Sequence, residues 1–175
     1  MTPNERGYFF PAEWHPHVAT WITFPHNDHS WQGDKLANMY PEYFQLIHAI
    51  SQGEQVHINC HSIELKDFIE SQLARYDIDS KQIFCHIRPT NDAWCRDHGP
   101  AFLIHRENSS RLVVDWEYNA WGGKYPPFPQ ACAPWQNLAI NSRESSYLLL
   151  RCEPPARLWP RPVTRRRCEI AAGAP

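Results

Sequence analysis

The chain has 175 residues, of which 42% are apolar and 21% charged, as in one ordinary globular domain. A formal charge of −2 excludes the strong positive field that draws proteins to nucleic acid or to anionic membranes. No run of about 18 apolar residues predicts a membrane span, no signal peptide is recognisable, and the six Cys form no C-x-x-C pair. We therefore expect a cytoplasmic protein with neither a zinc ribbon nor a disulfide framework.

The first predicted elements are a strand, a helix and a second strand. Residues 18–24 are apolar and β-prone and end at Pro25, which predicts a buried strand. Apolar side chains then recur at helical spacing over residues 36–50, and Gly53 supplies a stop signal. Residues 55–60 alternate between polar and apolar, which is typical of a strand.

The next elements continue this alternation. Ser62 is suited to cap a helix whose apolar stripe lies within residues 65–76. Residues 83–87 alternate as a strand does, and residues 101–105 and 111–116 flank a polar turn, which predicts a hairpin. Strands interleaved with two helices indicate an α/β fold.

Composition changes near residue 128. Residues 1–128 contain 10 basic and 16 acidic side chains and every His, whereas the last 47 residues contain seven Arg, three Glu and seven Pro. The proline-rich part has no regular period apart from a short stretch at residues 147–150. We therefore divide the chain into an ordered part, 1–128, and an irregular tail, 129–175.

Three accounts of this tail are open. It can be a disordered basic segment, or an arm that binds nucleic acid. The second account is disfavoured because the tail has no Lys and one short Arg run, Arg165 to Arg167. The account we prefer is a GC-rich gene read out of frame, since such reading yields Arg, Pro, Ala and Cys without Asp, Lys or His.

Metal and thiol chemistry are the less favoured interpretations of the His and Cys residues. His57 and Cys60 belong to one predicted strand but to opposite faces, so they do not converge on a metal. Cys95 follows Trp94 in a segment predicted to be extended, and no His–carboxylate pair marks it as a nucleophile. We expect no metal site, and we expect Cys95 to be a packed side chain.

Asp97 is the candidate with a chemical rationale. It lies in NDAWCRDHGP, residues 91–100, after a predicted strand end, which would present it at the edge of the sheet. A carboxylate matches guanidinium through two parallel N–H···O bonds, and the face of Trp94 adds cation–π attraction. Judged from the residues alone, an ion pair between Arg96 and Asp97 is an equally good account. Asn91 and Asp92 are predicted to hold the turn through side-chain to backbone bonds.

Three runs together resemble one family: FFPAEWHPHVATWITFPHNDHSW near the start, NDAWCRDHGP, and VVDWEYNAWGGKYPPF at residues 113–128. Over about residues 7–128 the chain resembles agmatine deiminases and the related Porphyromonas-type peptidyl-arginine deiminases. The resemblance implies a partial pentein fold, an α/β propeller of five modules, of which roughly the first two are present. It implies hydrolysis of a guanidinium group to a ureido group with release of ammonia.

The substrate that the resemblance implies is agmatine, converted to N-carbamoylputrescine in putrescine biosynthesis, with peptidyl-arginine as the alternative. It implies no metal and no organic cofactor, and a homo-oligomer for the full-length family. By position in the motif, Asp97 corresponds to the first of two carboxylates that hold the guanidinium, and Trp94 to an aromatic side chain of the pocket. A second family motif is matched by Asn119, Trp121, Gly122 and Lys124, of which Trp121 is a candidate for substrate binding.

The chain also departs from the family pattern. The family carries a His-x-Asp and a late, glycine-flanked Cys nucleophile, but no His follows His105 here, and Cys168 lacks the glycine-rich setting. We therefore expect a truncated or frame-disrupted deiminase that is inactive as this chain. The alternatives are a non-catalytic module that binds guanidinium compounds and a fragment that does not fold alone.

Overall fold

The structure, a computed structural model, describes residues 2–108, 110–116, 147–152 and 169–170. The chain forms two compact units. Unit 2 consists of Pro16–Cys95, and unit 1 consists of Met1–His15 together with Arg96–Pro175.

Unit 2 is a three-stranded parallel sheet with two helices. Its elements in chain order are β2 (Ala19–Thr23), α1 (Lys35–Ser51), β3 (Gln55–Cys60), α2 (Ile63–Gln72) and β4 (Ile83–Ile87). The strand order is β2-β3-β4, and both pairs are parallel. Parallel neighbours need a crossover, and each crossover here contains one helix. The predicted α/β class is confirmed.

The helices of unit 2 begin and end near the predicted signals. The Ser62 hydroxyl accepts a hydrogen bond from the backbone N–H of Leu65 at 3.3 Å, so the predicted N-cap is confirmed. α1 ends at Ser51, two residues before Gly53. Pro41 lies inside α1, where it removes one backbone donor.

The prediction that residues 18–24 form a buried strand is only half right. β2 is present, but within it only Thr23 is buried, and the preceding Val18 is 65% exposed. The physical reason is position in the sheet: β2 is an outer strand, and the central strand β3 is the more deeply buried one. Apolar composition alone does not distinguish the two positions.

The core of unit 2 lies between the sheet and the helices. Its buried cluster consists of Phe24, Phe44, Ile47, Val56, Ile58, Cys60, Ile69, Leu73 and Ile78. The β3 side chains in this cluster are at alternate positions, so they share one face of the sheet. His57 and Cys60 are therefore on opposite faces, as predicted.

Unit 1 is built on a five-stranded mixed sheet. Its strands are β1 (Tyr8–Phe9), β5 (Ala101–His105), β6 (Arg111–Trp116), β7 (Tyr147–Cys152) and β8 (Glu169–Ile170), in the order β1-β5-β6-β7-β8. The predicted hairpin of β5 and β6 is confirmed as an antiparallel pair. β1 pairs with β5 and was not predicted, because two residues are too few for a period.

The tail was expected to be irregular apart from the stretch at residues 147–150, and the structure describes two strands within it. β7 covers the stretch at residues 147–150, extends to Cys152, and pairs in parallel with β6. β8 then pairs antiparallel with β7. Both strands gain their backbone partners from residues far away in the sequence, which a local period does not reveal. Within the described parts of the chain, no helix has the length and hydropathy required to span a membrane.

Candidate functional site

The candidate site begins where β4 ends, at the carboxyl edge of the parallel sheet. The backbone N–H of Arg88 donates to the carbonyl of Cys60 at 2.7 Å, which continues the strand pairing by one residue. Residues 89–95 then follow this edge. In open parallel sheets, the carboxyl ends of the strands are the usual place for a ligand.

Two histidines hold the backbone at Thr90. Nε2 of His26 and Nδ1 of His61 both lie 2.9 Å from the Thr90 carbonyl oxygen, so each nitrogen donates to it. The two imidazole rings stack with 4.4 Å between their centroids. Thr90 is 1% exposed. These contacts fix the start of the site segment.

The next two residues are held by the loop that follows β2. The side-chain amide of Asn27 donates to the carbonyl of Asn91 at 2.6 Å, and the hydroxyl of Ser30 donates to the carboxylate of Asp92. Asp92 also accepts from the backbone N–H of Ala93 at 2.8 Å. The predicted side-chain to backbone bond of the turn is confirmed for Asp92.

Trp94 is a site candidate with an accessible ring. Its side chain is 53% exposed, although a tryptophan normally contributes buried area. The indole of Trp31 lies nearly parallel to it, with 6.4 Å between the ring centroids and 22° between the planes. An exposed, stacked indole can accept a flat cation on its open face.

Cys95 is a packed thiol, as predicted. Its Sγ lies 2.8 Å from the hydroxyl of Thr23 and 3.9 Å from the side-chain amide of Asn59. Burial raises the pKa of the Cys95 thiol, and the hydrogen bonds from these two residues lower it by less. A thiol with a raised pKa carries little thiolate at neutral pH, so Cys95 is not an activated nucleophile.

The segment from Trp94 to Asp97 was expected to be extended, and this expectation is wrong. Residues Cys95–His98 form a single helical turn, α3. The turn is short because Gly99 precedes Pro100, and a residue before proline avoids the α conformation. Alternation of faces therefore does not apply to Cys95 and Asp97.

Asp97 lies on α3 with its carboxylate exposed. Arg96 forms an ion pair with Glu13 at 2.7 Å, so the alternative of an ion pair between Arg96 and Asp97 is wrong. Among the residues that the structure describes, no hydrogen bond or ion pair involves the Asp97 carboxylate. Its two oxygens are therefore available to a ligand in this part of the chain.

Two further predictions concern the second motif and metal binding. Trp121, with Asn119, Gly122 and Lys124 of the second motif, lies outside the described residues. Within the described ranges, no group of three or more His, Cys, Asp or Glu side chains is arranged so that it could hold a metal ion.

The sequence did not reveal the residues beneath and beside the site. They are the two histidines at Thr90, the Asn27–Trp31 part of the loop after β2, and the Thr23–Asn59 pair under Cys95. One signal was available: the loop after β2 and the segment after β4 follow parallel strands, and the carboxyl ends of parallel strands meet at the same edge. The individual partners were not deducible from spacing.

Comparison with known proteins shows the family to which the chain belongs. The model of the Porphyromonas-type peptidyl-arginine deiminase family matches residues 9–148. The chain belongs to this family. The match reaches 20 residues past Phe128, where the resemblance read from the motifs stopped.

Individual deiminases are similar over part of their length. The chain is 37% identical over 123 residues to an agmatine deiminase of Stutzerimonas stutzeri, which is 70% of this chain and 31% of that protein. It is 36% identical over 123 residues to an agmatine deiminase of Ectopseudomonas mendocina, again 31% of that protein. A solved agmatine deiminase of Enterococcus faecalis superposes with a TM-score of 0.64 and 27% identity, over 86% of this chain and 39% of that one. The chain thus spans about a third of the length of these relatives.

Proposed function

We propose that this chain is the N-terminal part of a guanidine-deiminating hydrolase, and that Asp97 and Trp94 belong to its guanidinium site. The observation that carries the proposal is the Asp97 carboxylate, which is exposed on α3 and uncommitted among the described residues. Trp94, three residues earlier, is also exposed. Membership of the deiminase family supports the assignment.

The chemistry proposed for these residues is recognition. A carboxylate accepts two parallel N–H···O bonds from a guanidinium, which fixes the plane and direction of the cation. An indole face attracts the same cation through its quadrupole. In the family mechanism, this grip keeps the guanidinium carbon aimed at a Cys thiolate that forms a covalent intermediate.

We propose that the chain binds but does not turn over its substrate. The family's His-x-Asp, which supplies the proton donor and the second carboxylate, has no counterpart here because His105 is the last His. The late Cys168 lacks the glycine-rich setting of the nucleophile. Loss of one member of a catalytic set costs several orders of magnitude in rate, and here two members have no counterpart.

Two assays test this proposal on the 175-residue chain. Incubation with agmatine should release no ammonia above a protein-free blank, and enzyme-like release would disprove inactivity. Calorimetric titration with agmatine should give weak binding that Asp97→Asn reduces by about tenfold or more, since charged hydrogen bonds contribute about 1.5–3 kcal/mol each. Asp67→Asn, an exposed carboxylate of α2, is the matched control and should leave binding unchanged. Equal losses in both variants would contradict a specific role of Asp97.

Peptidyl-arginine is the second candidate substrate, favoured by the family model that matches the chain. Agmatine is favoured by the names of the relatives in S. stutzeri and E. mendocina. Both compounds share the guanidinium that Asp97 would bind and differ at the far end. Parallel titrations with agmatine and with a blocked arginine peptide distinguish the two candidates. The compound whose group opposite the guanidinium also contacts the chain should bind with the higher affinity.

The pentein architecture and the altered tail are further parts of the proposal. Two compact units and coverage of 39% of the E. faecalis enzyme agree with about two of five modules. For the tail, the nucleotide sequence after codon 128 should be read in all three frames. A His-x-Asp and a late glycine-flanked Cys in another frame are expected. A verified, uninterrupted frame through codon 175 would contradict the frame change.

A further inference from the structure

The loop after β2, residues His26–Trp31, runs alongside the site segment Thr90–Trp94. We call it the anchoring loop. Its residues contact the segment in sequence order: His26 with Thr90, Asn27 with Asn91, Ser30 with Asp92, and Trp31 with Trp94. Three hydrogen bonds and one ring contact thus join the anchoring loop to the segment between Thr90 and Trp94.

The anchoring loop has hydrogen bonds of its own. The carbonyl of Asn27 accepts from the backbone N–H groups of Ser30 and Trp31 at 3.1 and 3.0 Å. The side-chain oxygen of Asn27 accepts from the N–H of His29 at 2.9 Å. Both oxygens of Asn27 therefore accept hydrogen bonds within the loop, and its side-chain nitrogen donates to the carbonyl of Asn91. A support that is ordered before binding reduces the entropy lost on binding.

Trp31 completes the support at the exposed end of the segment. It is half-buried, and its Nε1 has no hydrogen-bond partner among the residues that the structure describes. Its contribution at this position is thus the ring face that it presents to Trp94. Because one face of Trp94 is near Trp31 and the side chain is still half exposed, the indole keeps an accessible surface in a restricted orientation.

We propose that Ser30 and Trp31 are positioning residues for the guanidinium site. Ser30 fixes Asp92 and thereby the backbone that carries Trp94, and Trp31 fixes the orientation of the Trp94 indole. This inference rests on the proposed function, in which Trp94 contacts the guanidinium. A flat cation gains attraction only when it lies over the ring face, so a freely rotating indole would bind it more weakly.

The experiment combines agmatine titration with hydrogen exchange of the full chain. Trp31→Phe should weaken agmatine binding about 3- to 10-fold, the range of an aromatic pair. Trp14→Phe is the matched control, since Trp14 is 89% exposed and lies outside the anchoring loop, and it should have no effect. Ser30→Ala should weaken binding several-fold, whereas Ser30→Thr keeps the hydroxyl and should restore it. Thermal melts verify that each variant is folded.

A double-variant cycle separates positioning from direct contact. In a Trp94→Phe background, Trp31→Phe should have little further effect, because Trp31 is proposed to act through Trp94. Fully additive losses would overturn the inference. So would a loss in Ser30→Thr as large as that in Ser30→Ala.

Hydrogen exchange keeps the two proposals distinguishable. Ser30→Ala should accelerate exchange of the amides at residues 90–94, and Ser30→Thr should not. If the parent chain does not bind agmatine but this pattern is seen, the proposed function fails, and only the structural part of the inference stands, namely that Ser30 orders residues 90–94. If exchange at residues 90–94 is the same in all variants, the positioning role is wrong, whatever the chain binds.

Discussion

The two units of the chain differ in how they obtain a core. Unit 2 is continuous in sequence, and nine of its described residues form one buried cluster between the sheet and the helices. Unit 1 joins the first 15 residues to the part after Cys95, and its described cluster has three buried residues. In unit 2 each of the two crossovers between parallel strands contains one helix, so neighbouring elements are also close in sequence. In unit 1 the first strand pairs with a strand about a hundred residues later.

This difference has a physical consequence. Contacts close in sequence cost little loop-closure entropy, so a strand, helix and strand can form together. A two-residue edge strand such as β1 contributes few backbone bonds and depends on side chains that fix its place. Tyr8 provides one such contact, since its hydroxyl lies 3.2 Å from the hydroxyl of Ser110. We expect the stability of unit 2 to depend on the apolar volume that it buries. The stability of unit 1 should depend on a few specific contacts.

A substitution in the core of unit 2 should cause the greatest loss of stability. Phe44→Ala removes a side chain that is 1% exposed and packs against Phe24 and Tyr76. We expect a loss of about 3–5 kcal/mol in the free energy of unfolding, measured by urea denaturation. Leu46→Ala, on the same helix at 47% exposure, is the control and should cost about 1 kcal/mol or less. Similar losses in both variants would mean that apolar volume is not what stabilises unit 2.

The second test addresses the edge strand of unit 1. Gly7 has φ of +84°, and a Cβ placed there would lie 2.6 Å from Nε2 of His105. The His105 ring is held by an edge contact with Tyr8 and by a hydrogen bond from the N–H of Glu107. Gly7→Ala should therefore cost about 2 kcal/mol, from backbone strain and from displacement of this ring.

Gly33 provides the matched control for Gly7. Its φ is +65°, but an added Cβ would meet nothing within 4 Å. Gly33→Ala should show only the strain, about 1 kcal/mol. Both variants are compared by urea denaturation and by hydrogen exchange of β5. If Gly7→Ala lowers the free energy of unfolding no more than Gly33→Ala does, the contact between the His105 ring and Tyr8 does not hold β1 in place.

The same difference explains what the sequence could predict. The elements of unit 2 were predictable because helical and strand periods, and the cap at Ser62, are local. β1, β7 and β8 depend on partners far away in the sequence. At the site, the motif indicated Asp97 and Trp94, but the helical turn of α3 and the support by Ser30 and Trp31 arise from tertiary packing. The motif therefore indicated the candidate residues Asp97 and Trp94, but not the side chains that contact the segment carrying Trp94.

Unit 2 also contains a buried polar contact, between Thr23, Asn59 and Cys95. The buried hydroxyl of Thr23 accepts from the side-chain amide of Asn59 at 3.2 Å and contacts Cys95. Thr23→Val keeps the shape but removes both bonds, so we expect a loss of about 1–2 kcal/mol. Thr23→Ser keeps the hydroxyl and controls for its chemistry.

Cys95 supplies an independent measurement for the same variants. The hydrogen bond from Thr23 lowers the pKa of this thiol, so Thr23→Val should raise the pKa further and slow alkylation of Cys95 by iodoacetamide. Peptide mapping distinguishes Cys95 from the other thiols. Faster alkylation in Thr23→Val with an intact fold would show that the hydroxyl protects the thiol rather than favouring thiolate.

The smallest expected effect concerns the face of the sheet opposite the helices. There His57 stacks on Trp21 and Phe84, and its Nδ1 lies 2.9 Å from Nε2 of His86. Burial, and then the neighbouring His86, lower the pKa of His57 from 6.5 to about 4. Burial, followed by the charge of Arg88, also lowers the pKa of His86. Both rings therefore favour the neutral form in the folded chain.

The sign of the pH dependence follows from these pKa values. In the unfolded chain His57 takes up a proton near pH 6.5, whereas in the folded chain it does so only near pH 4, so stability falls as the pH drops through this window. We expect a loss of about 1 kcal/mol, below the ~3 kcal/mol of the full difference, because the half-buried ring is screened by solvent. Urea denaturation at pH 7 and pH 5 measures it, and His57→Gln should flatten the dependence. If the free energy of unfolding of His57→Gln falls between pH 7 and pH 5 as much as that of the parent chain, the acid sensitivity belongs to another group. Apolar packing would then remain the main determinant of the stability of unit 2.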